Sequence, residues 1–175
     1  VPSWFSEQLP LSFDLALEIG KFRRKMFTWL KKGVKKEKIV DYIRKTCHTD
    51  VNSANSIYEY FKNEYLFLKM LGVKRFPDHK TLLIEEFYDE YGRKNVVFHT
   101  LFGRRVNDAL SRAFAYVASK KIRRNVGVAI SDNGFILIFP GDYKVEPLEL
   151  VKSGELEEVL KKAIRRTELM KRRFR

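Results

Sequence analysis

The sequence has 175 residues, of which 35 are Lys or Arg and 22 are Asp or Glu, giving a formal net charge of +13 at pH 7. Apolar residues make up 45% of it, enough to build a core, and the single cysteine, Cys47, excludes an internal disulfide and a thiolate zinc cluster. The lone cysteine also favours a reducing compartment, so we expect a cytoplasmic protein. No apolar run approaches the roughly 18–20 residues that cross a bilayer, and no membrane is expected among the partners.

The N-terminal part, residues 1–76, is predicted to be helical. Ser12 is a suitable N-cap for a first helix that ends near Gly33, a shorter helix follows, and a long helix begins at Asp50 or Asn52. The apolar spacing of the first helix predicts an inward-facing stripe formed by Leu15, Ile19, Phe22, Met26 and Trp29.

Residues 38–72 also resemble a helix-turn-helix, because two helices are joined by a short polar turn. The part of the second helix at 51–61 has no Lys or Arg, and Glu59 would face phosphate unfavourably. We therefore predict that the second helix packs in the core, with base reading as the alternative.

The C-terminal part, residues 77–175, is predicted to contain four strands and two helices. Asn133 and Gly134 are the strongest short hairpin signal in the chain. The order hairpin, helix, hairpin, helix predicts an α+β fold with an antiparallel sheet covered by helices, within one domain over residues 1–175. The predicted strands are 82–88, 95–101, 126–130 and 135–139, and the predicted helices begin near Asn107 and near Gly154.

The positive charge is concentrated in three segments, at 21–45, 104–124 and 161–175. Together they hold 26 of the 35 basic residues and only 4 of the 22 acidic ones. If the three segments meet in space, they form a positive face that attracts polyanions. We predict that the partner is a nucleic acid, with an anionic membrane or another acidic partner as the alternative.

A glycine turn follows the second predicted strand and leads into a helix. Gly103 permits a sharp reversal, and Arg104 and Arg105 then stand beside the start of the helix. Unpaired backbone N–H groups and the helix dipole favour an anion at that position. The turn is therefore a predicted phosphate site, and the alternative is a surface turn with two solvated arginines.

No catalytic or metal site is predicted. His99 and the nearby carboxylates include no spaced His or Cys partner, and Glu85 and Glu86 alternate on opposite faces of a strand. The sequence contains no GxxxxGK[ST] phosphate-binding loop and no GxSxG motif, so this chain is not expected to hydrolyse ATP and needs no cofactor of its own.

The chain resembles the large helicase-related (Lhr) family of superfamily 2 ATP-dependent helicases, in the helicase-associated region that follows the motor domains and winged helix. The specific part of the resemblance is the H-[ST]-x-F-G-x-R-V turn at 99–106. The matching stretches are PSWFSEQLPLSFDLALEIGKFRR, LLIEEFYDEYGRKNVVFHTLFGRRVNDALSRAFA and ELMKRRFR.

This resemblance implies an accessory region that grips single-stranded DNA or RNA through phosphate contacts while a 3′-to-5′ motor translocates. ATP and Mg would belong to the motor domains, which are missing from this sequence and are expected partners in the same chain. We also expect an excised fragment, because the sequence begins at Val1 and stops within a basic helical run, and we expect an archaeal source.

The residues expected to contact nucleic acid follow from the turn and the resemblance. Arg104 and Arg105 would hold phosphate, and Asn107 would serve as helix cap or sugar contact. Bacterial members of the family carry a base-stacking tryptophan where this chain has Leu110, which predicts an apolar wedge or plain packing instead. Arg112, Arg172 and Arg173 would extend the track.

Two other functional classes stay open from the sequence. One is a basic protein-interaction module that docks on the motor domains or on an acidic partner. The other is a nucleic-acid-processing enzyme, such as a glycosylase or a nuclease.

Overall fold

The computed structural model describes residues 11–165, which belong to two compact units. Among the described residues, the helical unit is Leu17–Leu82, and the sheet unit combines residues 11–16 with residues 83–165. This boundary lies close to the predicted change from helical to mixed structure between residues 76 and 77. None of the described helices is both long enough and apolar enough to cross a bilayer.

Three helices make up the helical unit, and two of them begin at a side-chain cap. Ser12 Oγ accepts a hydrogen bond from the Leu15 N–H at 3.2 Å, and the Asp50 carboxylate accepts from Asn52 N–H at 2.7 Å and Ser53 N–H at 2.9 Å. The Ser12 cap is confirmed, and of the two predicted starts of the long helix, Asp50 or Asn52, Asp50 is the N-cap. The helices are α1 at Phe13–Lys31, whose first four residues are counted with the sheet unit, α2 at Lys36–Cys47 and α3 at Val51–Met70.

The helix α3 packs in the core of the helical unit. Its residues Ala54, Tyr58 and Phe61 are buried and join the cluster that includes Met26 and Ile43. The predicted packing role is confirmed for this face of the helix, and base reading stays an untested alternative for the opposite face.

The buried face of α1 differs from the predicted stripe. Leu15 and Ile19 are 53% and 41% exposed, whereas Arg23 is only 8% exposed. The guanidinium of Arg23 forms an ion pair with Glu64, and its Nε donates to the Pro77 carbonyl at 3.2 Å. The prediction for Leu15 and Ile19 was wrong because these distant partners turn the arginine inward.

The sheet unit has the predicted α+β class. Its four strands lie in the order β1-β2-β4-β3, and all neighbouring strands are antiparallel. The first helix of this unit begins three residues before the predicted position, and the second begins at Leu156 after a short 3-10 turn. The elements are β1 at Leu83–Tyr88, β2 at Lys94–His99, α4 at Arg104–Ile122, β3 at Gly127–Ser131, β4 at Gly134–Ile138 and α5 at Leu156–Ile164.

One face of the sheet packs against α4 through aromatic rings. Phe98 and Phe135 stack with centroids 4.6 Å apart, and Phe114 of α4 contacts them edge-on at 5.1 and 5.7 Å. Edge-to-face and offset-stacked geometries are the favoured arrangements of aromatic pairs. This core fixes the rotation of α4 about its axis, and so determines which of its side chains face outward.

Candidate nucleic-acid interface

The turn before α4 depends on a glycine. Gly103 has φ +82°, a value that L side chains rarely adopt, and a Cβ at this position would lie 2.4 Å from the Leu11 carbonyl oxygen. The glycine therefore allows the chain to reverse within the sheet unit and to begin α4 at Arg104.

Asn107 is a positioning residue, because its side chain is fully buried. Its Nδ2 donates to the carbonyl oxygens of Ser131 and Asp132, each at 3.0 Å, and its Oδ1 accepts from Thr100 Oγ1. These bonds hold the first turn of α4 against the β3–β4 hairpin. The expected role of Asn107 as cap or sugar contact is corrected accordingly: the helix begins three residues earlier, and the amide faces the interior.

The N-terminus of α4 already holds an anionic group from the chain itself. The Asp132 carboxylate accepts a hydrogen bond from the Arg104 N–H at 3.0 Å and another from the Leu11 N–H at 3.3 Å. Its negative charge is favoured there by the helix dipole. Asp132 therefore occupies the Arg104 N–H of the predicted phosphate site, and its negative charge favours holding a phosphate by the arginine side chains rather than by the backbone.

The side chains of the two turn arginines are available for that role. Both residues are exposed, and within residues 11–165 neither forms an ion pair. The Arg104 guanidinium makes one long contact, 3.5 Å from Nη1 to the Ile130 carbonyl oxygen. Arg105 and Arg112 are seven residues apart, so they lie about 20° apart around the helix and about 10 Å apart along it.

The joint change of Arg104→Ala and Arg105→Ala tests the arginine turn. We expect the slope of log affinity for (dT)30 against log salt to flatten by about one unit, because each phosphate contact on a single strand contributes about 0.7. Fluorescence anisotropy at several salt concentrations measures that slope. An unchanged slope would remove the turn from the binding surface.

Four other residues were predicted to contact nucleic acid, and the structure describes two of them, Leu110 and Arg112. Leu110 is half-buried and packs against the hydrophobic core of the sheet unit, in agreement with the packing alternative. Arg112 is half-buried on the outward side of α4, where its Nε lies 2.9 Å from Asp108 Oδ1. Arg172 and Arg173 lie outside the described residues.

A cationic cavity lies beside the C-terminal half of α4, and we call it the α4 cavity. Its volume is about 480 Å³, and it includes Val128 of β3 and Ala163 of α5 in its lining. No carboxylate belongs to the described lining. The cavity is lined by four cations and one aromatic ring, from Arg112, Tyr116, Lys120, Arg123 and Arg124.

The connection from α4 to β3 holds part of this cavity in place. Arg123 has φ +56° and ends the helix, and the Val126 N–H donates to Ser119 Oγ at 3.1 Å. Lys120 Nζ lies 4.7 Å from the centroid of the Tyr116 ring, a cation–π contact. Lysines in a last helical turn compensate the dipole, but the two arginines follow the helix and add positive charge to the cavity.

The described part of α5 adds little net charge. Lys161 and Lys162 each form an i, i+4 ion pair, with Glu157 and Glu158 respectively. The Glu158 hydrogen bond and charge raise the pKa of Lys162 above its ordinary value, and the same pair lowers the pKa of Glu158. These lysines are matched by carboxylates on their own helix.

The three basic segments are divided between the units. Segment 21–45 lies in the helical unit, while segment 104–124 and the described start of segment 161–175 lie in the sheet unit. Within the sheet unit α4 and α5 pack against each other, so these two segments meet. The meeting of all three stays a prediction.

The carboxylates near His99 contact side chains of the neighbouring strand. Glu85 Oε2 lies 3.3 Å from His99 Nε2, and Glu86 Oε2 lies 2.7 Å from Lys94 Nζ. Across the part of the chain that the structure describes, no three His, Cys, Asp or Glu side chains are grouped so as to hold a metal ion.

Three residues of the candidate interface, Asp132, Arg123 and Arg124, were not predicted individually from the sequence. The basic run KKIRR at 120–124 was a usable signal for the two arginines. The position of Asp132 beside a hairpin tip gave no sign that it would cap a helix that begins 28 residues earlier, because that contact is tertiary.

Comparison with protein families gives one matching model. The family described as DEAD/H associated matches residues 76–175.

The chain is also similar over its whole length to archaeal helicase sequences. It is 47% identical to ATP-dependent helicase Lhr-Core of Methanothermobacter thermautotrophicus and 44% identical to that of Saccharolobus solfataricus. Each match covers 100% of this chain and 20% of the relative. The chain thus spans about a fifth of the length of these relatives.

A solved structure has a similar fold. It is the helicase Lhr of Mycobacterium smegmatis bound to ssDNA and AMP-PNP, with a TM-score of 0.72 and 18% sequence identity. The similarity covers 95% of this chain and 20% of that chain.

Proposed function

Because this chain belongs to the DEAD/H-associated family, as the helicase-associated region of the Lhr helicases, we propose that it binds single-stranded nucleic acid. In this proposal it is an accessory region of an ATP-dependent 3′-to-5′ helicase of the cytoplasm. It grips the phosphates of the strand while the motor domains of the same polypeptide translocate.

The α4 cavity is the observation that carries this proposal. It is concave, it is lined by Arg112, Lys120, Arg123 and Arg124, and its described lining includes no carboxylate. Like charges gathered on one concave surface repel one another, and a phosphate backbone relieves that repulsion while releasing its own counterions.

Recognition of this kind is expected to be nearly independent of base sequence. Phosphate contacts position a strand without reading it, and an aromatic ring such as that of Tyr116 stacks on any base. ATP and Mg would act in the motor domains, since this chain has no GxxxxGK[ST] loop to cradle a triphosphate.

The proposal is tested by a gel-shift series with single-stranded DNA, single-stranded RNA and tailed duplexes at two salt concentrations. About four phosphate contacts predict a slope of log affinity against log salt near −3 on a single strand. Single-stranded and tailed substrates should bind, and a blunt duplex serves as the control. Absence of salt-dependent binding to every oligonucleotide would contradict the proposal.

A second candidate function is docking on the rest of the helicase polypeptide. The outward side of α3 carries an apolar stripe whose members Tyr60, Phe67, Met70 and Leu71 are 57–74% exposed. Stripes of this kind mark interaction surfaces, and about four fifths of the relatives' length lies outside this chain. Salt-resistant binding to the motor domains, with no titratable oligonucleotide binding, would favour this function over the first.

A further inference from the structure

A second cationic cavity lies within the helical unit, and we call it the α1 cavity. It measures about 380 Å³ and lies between the C-terminal half of α1 and the segment 74–81. We propose that it binds phosphate groups. Five cations line it, from Arg24, Lys31, Lys74, Arg75 and Lys80, together with one carboxylate, that of Asp78.

The single carboxylate, that of Asp78, forms hydrogen bonds with groups of the cavity itself. Asp78 is 8% exposed, its Oδ2 accepts from Arg24 Nε at 2.8 Å, and its Oδ1 accepts from the Lys80 N–H at 2.7 Å. Within residues 11–165, the other four cationic side chains form no ion pair. The α1 cavity therefore keeps a strong positive charge after its internal pair is made.

The segment that carries three of these cations is fixed against α1. The rings of Phe27 and Phe76 stack 4.7 Å apart with an interplanar angle of 16°, and Arg23 Nε donates to the Pro77 carbonyl. Asp78 and Thr81 exchange two backbone hydrogen bonds, at 3.1 and 3.3 Å. A ligand thus meets a preformed surface, so little conformational entropy is lost on binding.

The cationic side chains that line the α1 cavity suit phosphate groups. Arg24 and Arg75 offer planar guanidinium groups that suit oxyanions, and the lysines add compact charges on flexible stems. The phosphate has two possible sources, a nucleic-acid backbone or a free polyphosphate. The α1 cavity shares no residue with the α4 cavity, so separate variants test the two sites. The nucleic-acid source rests on the proposed function, and the free polyphosphate does not.

The test uses the full chain and two charge-matched variants. One variant combines Lys74→Gln, Arg75→Gln and Lys80→Gln in the α1 cavity. The control combines Arg93→Gln, Lys144→Gln and Lys152→Gln, three exposed cations that line neither cavity. The probes are (dT)30, followed by anisotropy across a salt series, and inorganic tripolyphosphate, followed by the shift in melting temperature.

We expect the cavity variant to bind (dT)30 at least tenfold more weakly than the control at about 0.1 M salt, with a flatter salt slope. Alternatively, if the phosphate is free, tripolyphosphate raises the melting temperature of the control and of the unchanged chain but not that of the cavity variant. Equal behaviour of the two variants with both probes would overturn the inference. If the α1-cavity variant and its control behave equally but substitutions in the α4 cavity abolish (dT)30 binding, this inference fails and the proposed function stands.

Discussion

Changing Arg112, Lys120, Arg123 and Arg124 together to glutamine is expected to weaken (dT)30 binding by about 100-fold at 0.1 M salt. This estimate counts three full phosphate contacts at about 0.7 log units each, since Arg112 is already paired with Asp108. The same variant should lower the slope of log affinity against log salt by about two units. Fluorescence anisotropy over a salt series measures both quantities.

The matched control removes four cations of the sheet unit that lie outside the α4 cavity. These are Arg93, Lys144, Lys152 and Lys161, all exposed in the structure. If the control loses as much affinity as the cavity variant, net charge alone explains the binding and the cavity has no special role. Circular dichroism should give similar folded spectra for both variants.

Changing Arg23 to Ala is expected to lower the free energy of unfolding by about 3–5 kcal/mol, because it leaves Glu64 in a mostly buried position without its ion-pair partner. Glu64 Oε2 is already buried with no hydrogen-bond partner among the described residues, so Arg23 is the group that stabilises this carboxylate. The variant also loses the cation–π contacts to the rings of Phe27 and Phe61, at 5.3 and 5.6 Å. Urea denaturation followed by circular dichroism measures the change.

Two further variants separate the ion pair from general effects of substitution. Lys21→Ala removes an exposed pair with Glu18 and should cost no more than about 1 kcal/mol. The double change Arg23→Met and Glu64→Leu should recover much of the lost stability, since apolar residues of similar volume often replace a buried pair without cost. A single Arg23 variant as stable as the Lys21 variant would show that the buried pair has little energetic importance.

The parts of the fold that could be predicted from the sequence are those with local signals. The Asn133-Gly134 pair correctly predicted the second hairpin, and Ser12 and Asp50 correctly predicted two helix starts. Each signal acts between residues only a few positions apart, so its meaning does not depend on the rest of the structure.

The inward face of α1 could not be predicted in the same way. Apolar spacing placed Leu15 and Ile19 inside, but the buried positions include Gly20, where an added Cβ would lie 2.8 Å from His79 Cβ. Arg23 is buried because its guanidinium donates hydrogen bonds to Glu64 and Pro77, which lie 41 and 54 residues later in the chain. Long-range pairing of this kind overrides the local hydrophobic pattern.

The candidate interface was predictable only in part. The position of Arg104 and Arg105 beside a helix start follows from the strand, the glycine and the helical spacing. The carboxylate of Asp132 at that same helix start does not, and neither does the α4 cavity, whose lining comes from α4, β3 and α5. The proposed function therefore rests more on the distribution of charge than on any single predicted contact.

The close approach of another backbone segment to Gly103 limits which residues this position tolerates. The Leu11 carbonyl oxygen fills the space that any side chain would need, and Gly134 has the same restriction, with its Cβ position 2.2 Å from the Phe98 carbonyl oxygen. In a saturation library selected for folded protein, every codon other than glycine should disappear at both positions. Arg104 and Arg105, whose side chains make few contacts, should tolerate substitution in that library. Only a selection for single-strand binding would retain them.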